Sequence, residues 1–524
     1  MNQRLRAICD LSMSAVREYV GRHEYDGRVE DLSPEGVRAA LSRVGGPPGT
    51  EPEPDPHDEA QLAAFEQLAR LELGELELHR SNPLYHVAAL DVSCYDREYA
   101  PAEQRAEARQ RHLAAWPDAV DAAVAALDRV AAPVAEALLP AARGLTADLA
   151  EGFGEPQGGA PVDWASRADP VVERALDAHK RLVAHLEAAA ADGHHETALG
   201  RGALERLLGT GEALAVDLGR LEERADAERD RLRAVLDEAC GRLRPGRPAA
   251  EVVAWLLKDH PDAGGVLTEA RDLTAESIAF TLERDLVPGL DGECLVAPSP
   301  PSRRWALAMM SWAAPYEADA PSRYYISPPE PDWPAAEQDD WLKVFSRATL
   351  PAITVHEVAP GHFAHGRRLR QLGSDVRRSL HSLSFVEGWA HYAEEVCVEE
   401  GFRAGDPRFA AGVALEALQR VTRLAVSIGT HAGTMTVAEG AARFEADAFC
   451  YGPAARNEAA RATFDPTYGR YTWGKLEILR LREEARARWG AGYSHARFHD
   501  ALLSLGSPPL GLMADILDNA QGLA

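Results

Sequence analysis

Helical periodicity runs through almost the whole chain and limits its possible folds more than any other feature of the sequence. Apolar residues recur every three or four positions in successive segments, for instance Gln61 to Leu78 and Pro101 to Leu127. Alanine, leucine, glutamate and arginine dominate such segments, and all four are good helix formers. Long helices are also predicted at about 167–191, 196–223 and 224–242, where they could form antiparallel hairpins. We therefore predict a mainly α-helical protein.

One stretch, from about Leu290 to Pro334, differs in composition because it contains more proline and more aromatic residues. Three segments in it could be short strands: Glu293 to Ala297, Trp305 to Trp312 and Arg323 to Ser327. The stretch predicts one small β-sheet near 290–330. A proline-rich connector would have a similar composition and stays open as an alternative.

The net charge disfavours two classes of partner. The chain has 56 basic and 82 acidic residues, a formal net charge of −26, which opposes binding to nucleic acid or to an anionic membrane surface. No apolar stretch has the length of a signal peptide or a membrane span. The six cysteines lie far apart and form no C-x-x-C pair. Reduced thiols are the simplest interpretation, so we expect a cytoplasmic protein without nucleic-acid or membrane partners.

A histidine and glutamate pair in the segment TVHEVAPGHF suggests a metal site. The segment contains His356, Glu357 and His362. Imidazole nitrogen and carboxylate oxygen are ligands of catalytic zinc, which takes three ligands from the protein. A carboxylate beside the first histidine could act as general base to a water at the metal. However, the second histidine lies six residues after the first, whereas the common helical motif places it four residues after.

Pro360 and Gly361 offer an explanation of this spacing. Six residues of regular helix would leave the two histidine side chains roughly 120° apart. Pro360 has no N–H to donate to the carbonyl of His356, and Gly361 permits unusual backbone dihedrals. We therefore predict that the helix from Thr354 is broken or bulged at Pro360 and Gly361, so that His362 turns back towards His356.

A third ligand can come from Glu387, thirty residues after Glu357 on a second predicted helix. Two imidazoles and one carboxylate are a known catalytic zinc set. Glu394 lies two helical turns further on the same face, where it could orient a ligand or could be a solvated charge. His391 and His365 could be neighbours of the site, although an ordinary polar role is favoured for His391.

Another motif, Gly469 to Lys475, has the pattern G-x-x-x-x-G-K, the first seven positions of a phosphate-binding loop. Leu476 follows where that loop needs the hydroxyl of Ser or Thr to hold magnesium, and no β-rich apolar strand precedes it. We therefore disfavour a phosphate-binding loop. The nucleophile motif G-x-S-x-G of α/β-hydrolases does not occur in the sequence.

The segments around the candidate ligands closely resemble the domain of unknown function 885 (DUF885) family. The matching motifs are H-E-x-x-P-G-H from His356 and E-G-W-A-x-Y-x-E from Glu387. The similarity extends to three further segments: Arg423 to His431, Tyr471 to Leu476 and Phe498 to Pro509. It is good from about 290 to 524 and weak before, where Asn82 to Tyr85 is the best match. The family looks like a distant branch of the thimet-oligopeptidase-like, or gluzincin, zinc metallopeptidases.

That resemblance implies both an architecture and a site. The architecture is a zincin-like, multi-helical metallopeptidase body around a deep cleft, with a helical region 1–289 on one side and a metal-binding catalytic region 290–524. One Zn²⁺ per chain would be bound by His356, His362 and Glu387, with Glu357 as the base. His431 and Tyr471 would donate hydrogen bonds to the substrate carbonyl oxygen, and Tyr468, at i−3 from Tyr471, could join them.

The sequence departs from the family pattern at a few positions. Ser427 and Met435 stand where an aspartate and a tryptophan are expected, Phe363 replaces a frequent histidine, and Thr472-Trp473 replaces a Lys-Ile pair. None of these changes removes a candidate ligand or the base. They bear on substrate choice more than on metal binding.

We predict a zinc-dependent metallohydrolase that cleaves amide bonds of short peptides, because a cleft inside a helical body would exclude folded proteins. Two alternatives stay open: a metal-dependent enzyme acting on a small amide or other metabolite, and a non-catalytic binding protein with the same fold. The sequence leaves the oligomeric state and the choice between endo- and exopeptidase open.

Overall fold

The computed structural model describes residues 1–146, 149, 169–300, 303–304, 306–318 and 320–519. The chain divides into two compact units. One contains Met1–Ala198, Pro300–Trp305 and Ala314–Ala320, and the other contains Leu199–Ser299, Ala306–Ala313 and Pro321–Ala524. The division into a helical region 1–289 and a metal-binding region 290–524 concerns function and stays a prediction; by packing, the second unit begins at Leu199. The intervening residues share the hydrophobic core of the second unit, for example through Leu204, Leu236 and Val266.

The first unit is built from helices in its described part. They are α1 (Gln3–Cys9), α2 (Met13–Ala15), α3 (Pro34–Leu41), α4 (Pro56–Ala69), α5 (Leu84–Leu90), α6 (Ala102–Ala126), α7 (Ala132–Gly144) and α8 (Pro170–Asp192). Three of them, α3, α4 and α8, begin with proline after a Ser or Asp whose side chain accepts a hydrogen bond from a backbone N–H of the first turn. Proline suits this position because the first helical N–H groups have no partner within the helix.

The second unit contains the remaining helices and the sheet. Its helices are α9 (Arg201–Thr210), α10 (Leu218–Leu243), α11 (Ala249–Leu257), α12 (Ala263–Glu283), α13 (Ala335–Leu342), α14 (Thr349–Glu357), α15 (His362–Gln371), α16 (Asp375–Ser379), α17 (Leu383–Glu399), α18 (Pro407–His431), α19 (Val437–Ala448), α20 (Gly452–Arg461), α21 (Arg470–Trp489), α22 (His495–Leu503) and α23 (Asp515–Asn519). The prediction of a mainly α-helical protein is therefore confirmed.

One small sheet lies where the sequence predicted it. Its strands are β1 (Cys294–Pro298), β2 (Ala308–Ser311) and β3 (Ser322–Ile326), in the order β1-β3-β2. β1 runs parallel and β2 antiparallel to β3, with Tyr324 paired to both Val296 and Met310. Trp305, where the second predicted strand began, lies outside the described residues. The buried Tyr324 hydroxyl is 3.4 Å from Thr354 Oγ1, so the sheet packs against α14.

A large hydrophobic cluster holds most helices of the second unit together, and a smaller one includes Ala352 and Val355 of α14. α10 packs along α18, and α17 packs along α21. Every residue of α14 is buried, which fits its sequence, since apolar residues occur on all sides of this helix. Each fully buried Leu, Ile or Phe in such a core contributes roughly 1.5–3 kcal/mol relative to an exposed one. The helices that carry the candidate ligands are therefore fixed by tertiary packing.

Two further observations concern the predictions about membrane spans and cysteines. Among the helices in the described ranges, none combines the length and the apolar character needed to cross a membrane. All six cysteines are unpaired, and four of them are buried.

Candidate metal centre

The chain breaks between the two histidines, as the sequence predicted. α14 ends at Glu357, and α15 starts at His362. Gly361, with ψ of −131°, is not helical, and a Cβ there would overlap the carbonyl oxygen of His356 and lie 2.6 Å from its carbonyl carbon. Only glycine allows this close approach. The Trp389 indole N–H donates a hydrogen bond of 3.0 Å to the carbonyl of Pro360, which fastens the break to α17.

This break brings the three candidate ligands together. Glu387 Oε2 lies 3.5 Å from His356 Nε2 and 3.4 Å from His362 Nε2. One ligand atom from each residue lies within 4.8 Å of the other two. Bonds of about 2.0–2.2 Å in tetrahedral geometry would separate the ligand atoms by roughly 3.4 Å. The spacing therefore fits one small divalent cation.

The electrostatics of these side chains also favour a bound cation. Burial raises the pKa of Glu387, but the neighbouring His356 and His362 outweigh it and hold that pKa well below its ordinary value. Burial and Arg420 lower the pKa of His356, but the carboxylates of Glu387 and Glu394 outweigh them and raise it to about 9. The protonated imidazole beside Glu387 thus occupies a place where positive charge is stabilised, and a metal ion would replace that proton.

Glu357 lies beside the candidate ligands. It is the last residue of α14 and is only 8% exposed. Burial raises the pKa of its carboxyl, partly opposed by His362 and His356. Within the described residues its Oε2 atom accepts no hydrogen bond. A carboxylate with a raised pKa and a free oxygen is a better proton acceptor than a solvated one.

Glu394 holds the ring of His356, the first candidate ligand. Its Oε1 accepts a hydrogen bond from His356 Nδ1 at 2.6 Å, and its side chain is fully buried. The alternative of a solvated helix charge is therefore wrong. Such a bond fixes the ring so that Nε2 faces Glu387, as outer partners of metal-binding histidines commonly do.

Arg420 was not anticipated from the sequence. Its Nη1 donates to Glu394 Oε2 at 3.2 Å and lies 3.5 Å from Glu416 Oε2. The available signal was its position on the buried stripe of α18, three residues after Ala417 and four before Leu424. A charged residue on such a stripe needs a buried partner.

Removing the charge of Glu394 tests its orienting role. Glu394→Gln keeps the shape but weakens the bond to His356, so we expect metal affinity to fall about 10–100-fold. Competition with a chromogenic chelator measures this change. Glu399→Gln, at an exposed position on the same helix, is the matched control and should leave the affinity unchanged. Equal affinities in the two variants would contradict the assignment.

The two remaining histidines near the site are buried and neutral. Burial lowers the pKa of His391 to about 4 and that of His365 to about 3. His391 Nδ1 lies 3.5 Å from Glu394 Oε2. His365 Nε2 lies 3.2 Å from the carbonyl of Gly506 and 3.1 Å from the hydroxyl of Ser507. His365 thus anchors the segment after α22.

Tyr471, on the first turn of α21, reaches the site. Its ring stacks on the His356 imidazole, with centroids 6.5 Å apart and planes inclined by 25°. The guanidinium carbons of Arg420 and Arg423 lie 6.0 and 5.3 Å from the centre of the same ring. Tyr471 therefore lies beside His356, the first candidate ligand. A residue that donates a hydrogen bond to a substrate at this site would have to lie there.

His431 and Tyr468 are bound to other groups. The buried Tyr468 donates its hydroxyl hydrogen to Glu458, and burial raises its pKa well above the ordinary value. His431, the last residue of α18, donates Nε2–H to the carbonyl of Ala462 at 2.7 Å. Each would have to exchange this acceptor for a substrate, so their roles as donors stay predictions.

Fold and site together define a mainly helical protein with a His-His-Glu group, buried except for part of Glu387, that could hold one metal ion. The family model described as "Bacterial protein of unknown function (DUF885)" matches residues 15–517, and the chain belongs to this family. The resemblance seen in the sequence motifs is confirmed to that extent.

Solved structures with the same fold include two bacterial proteins. One is a candidate lipoprotein of unknown function from Shewanella oneidensis, 19% identical with a TM-score of 0.75, covering 98% of this chain and 99% of that chain. The other is a candidate lipoprotein from Colwellia psychrerythraea, 17% identical with a TM-score of 0.77, covering 99% of this chain and 98% of that chain. None of the curated proteins compared with the chain matches it. These similarities show a common fold.

Proposed function

We propose that the protein is a zinc-dependent metallohydrolase that cleaves amide bonds of short peptides. The observation that carries the proposal is the convergence of His356, His362 and Glu387, whose carboxylate lies 3.4–3.5 Å from both imidazoles, with Glu357 next to His356. A zincin-like arrangement of helices around a deep cleft, and a relationship to the thimet-oligopeptidase-like peptidases, are part of this proposal.

The residues of the site have distinct roles in the proposed reaction. Zinc, when bound to His356, His362 and Glu387, supplies the acidity that activates water and the positive charge that polarises a carbonyl. Glu357 takes a proton from the attacking water and returns it to the departing amine. Tyr471 donates a hydrogen bond to the carbonyl oxygen as negative charge develops there, an interaction that contributes a few kcal/mol in enzymes generally.

We also propose a cytoplasmic location, and fractionation of the native host tests it. The support is that all six cysteines are unpaired, which is typical of proteins from a reducing compartment. The descriptions of the two solved structures as candidate lipoproteins favour the opposite location. Recovery of the native protein in a membrane fraction, released by detergent, would refute the cytoplasmic proposal.

Metal analysis of the purified protein tests the proposed cofactor. We expect close to one zinc per chain in the parent protein. Glu387→Ala removes the anionic ligand and should lose most of it, whereas Glu337→Ala, at an exposed position on α13, should keep it. A parent protein without zinc or another transition metal near equal stoichiometry would refute the proposal.

Substrate screens of the metal-loaded protein separate the alternatives. Digestion of a peptide library, followed by mass spectrometry, should reveal cleavage of short peptides. Turnover only in a panel of small amides would favour an enzyme acting on a metabolite. Metal binding without turnover in either screen would favour a non-catalytic binding protein and overturn the proposed activity.

A further inference from the structure

The G-x-x-x-x-G-K segment has a structural role that the proposed reaction does not explain. It covers Gly469 to Lys475 at the start of α21, and helix α20 precedes it where a phosphate-binding loop would have a strand. We propose that Gly469, Gly474 and Lys475 are positioning residues that seat α21 on three neighbouring helices and so hold Tyr471 against His356. The catalytic consequence rests on the proposed function, whereas the positioning itself does not.

Gly469 seats the start of α21 on α18. A Cβ at this position would lie 2.8 Å from Leu424 Cα, which is closer than carbon atoms approach in folded proteins. Leu424 directly follows Arg423 and lies one turn after Arg420, the two arginines that flank the Tyr471 ring. The backbone contact at Gly469 therefore fixes the distance between Tyr471 and these arginines.

Gly474 seats the next turn of α21 on α17. A Cβ on Gly474 would overlap the carbonyl oxygen of Ser384 and lie 2.9 Å from Gly388 Cα. A Cβ on Gly388 would in turn lie 2.6 Å from Gly474 Cα, so the two helices cross in direct backbone contact. The crossing is one residue from the ligand Glu387 and one helical turn from Tyr471. It thus links the positions of a metal ligand and the proposed donor.

Lys475 ties the same turn to α17 and α10. Its side chain is only 1% exposed, and its Nζ lies 2.6 Å from Glu395 Oε2 and 2.9 Å from Glu228 Oε1. Arg231, whose side chain is partly exposed, pairs with Glu228 at 2.7 Å and with Glu395 at 2.9 Å, so the four charges alternate in sign. Glu395 directly follows Glu394, which binds the His356 ring. The ion pairs therefore connect α21 to the residue that orients the first ligand.

The three contacts flank Tyr471 in sequence: Gly469 precedes it, and Gly474 and Lys475 follow it on α21. Tyr471 has two residues between it and Gly474, and one between it and Gly469. Because the neighbouring backbones leave no room for a Cβ at either glycine, a substitution there forces α21 to shift relative to α17 or α18. A displacement of about 1 Å at a reacting group can reduce an enzymatic rate about 10²-fold. The segment would therefore act on catalysis through Tyr471.

Fluorine NMR of protein labelled with 3-fluorotyrosine tests the positioning without requiring activity. The resonance of Tyr471 is assigned by its disappearance in Tyr471→Phe. We expect Gly474→Ala and Lys475→Met each to shift or broaden this resonance while most other tyrosine signals stay in place. Lys475→Arg, which keeps the positive charge, should restore much of the parent signal. Gly241→Ala, a helical glycine with open space around it, is the matched control.

An unchanged Tyr471 resonance in Lys475→Met would overturn the proposal, and Gly469→Ala provides a second test if Gly474→Ala does not fold. If the protein has turnover, we expect Gly474→Ala and Lys475→Met each to lower kcat at least tenfold with the metal content unchanged. In the Tyr471→Phe background they should lower kcat little further. Equal losses in both backgrounds would show that these residues do not act through Tyr471, even if the protein is a hydrolase.

Discussion

A Glu357→Gln variant is expected to bind one metal ion per chain and to lose turnover about 10²–10⁴-fold, the range that general acid-base catalysis contributes. Glutamine has nearly the same shape as glutamate, so the break after α14 and the three ligands should stay in place. It cannot take a proton from water at neutral pH. The variant therefore separates metal binding from catalysis. Metal analysis together with kcat on the best peptide substrate measures both quantities.

The control for this experiment is Glu337→Gln, which removes a carboxylate from an exposed position on α13. It should match the parent in metal content and in kcat. A Glu357→Gln variant as active as the parent would refute Glu357 as the base. Loss of the metal in Glu357→Gln would instead assign this carboxylate to the ligands.

The break between the histidines could be predicted because its causes are local. Proline disrupts a helix and glycine permits unusual backbone dihedrals wherever they occur. Pro360 and Gly361 therefore argued against a straight helix to His362 without knowledge of the fold. The small sheet was predicted for a similar reason, since β-forming residues were concentrated in one stretch. Its second strand is shorter than predicted and begins at Ala308 in the structure.

The buried charges around the site could not be assigned from sequence. Glu394 at i+7 from Glu387 fits both an orienting role and a solvated surface, and only the packing of α14 against α17 decides between them. Arg420 and Lys475 pose the same problem, because a charged residue on a helix is ordinarily exposed. Their partners, Glu394 and Glu395, lie at least 26 residues away in sequence. Such pairs become visible only once the helices are placed.

The bounds of the two compact units also could not be predicted from the sequence pattern. The change in composition near 290 marks the strands, whereas the second unit already begins at Leu199. Helices on both sides of that division have the same amphipathic pattern. What distinguishes α10 is that it packs along α18, and periodicity does not encode the identity of the partner helix.

Replacing Gly361 by alanine should destroy the metal centre through the backbone. The added Cβ would overlap the carbonyl oxygen of His356 and lie 2.5 Å from that of Val355. Both oxygens belong to the buried helix α14, so rotation of a side chain cannot relieve the overlap. Either the break opens or α14 shifts, and in both cases His362 moves away from His356. We expect a metal affinity at least about 10²-fold lower and a stability loss of about 3 kcal/mol, at the upper end of the range for overpacked sites.

Gly373→Ala is the matched control, since no atom lies within 4 Å of the position that its Cβ would take. Chelator competition measures the metal affinity, and urea unfolding of the metal-free protein measures the stability. Both values should stay at the parent level in the control. If Gly361→Ala bound metal as tightly as the parent, the close approach at Gly361 could not be what brings His362 to the ligand group. The unusual six-residue spacing of the histidines would then need another explanation, because a regular helix cannot bring both rings to one ion.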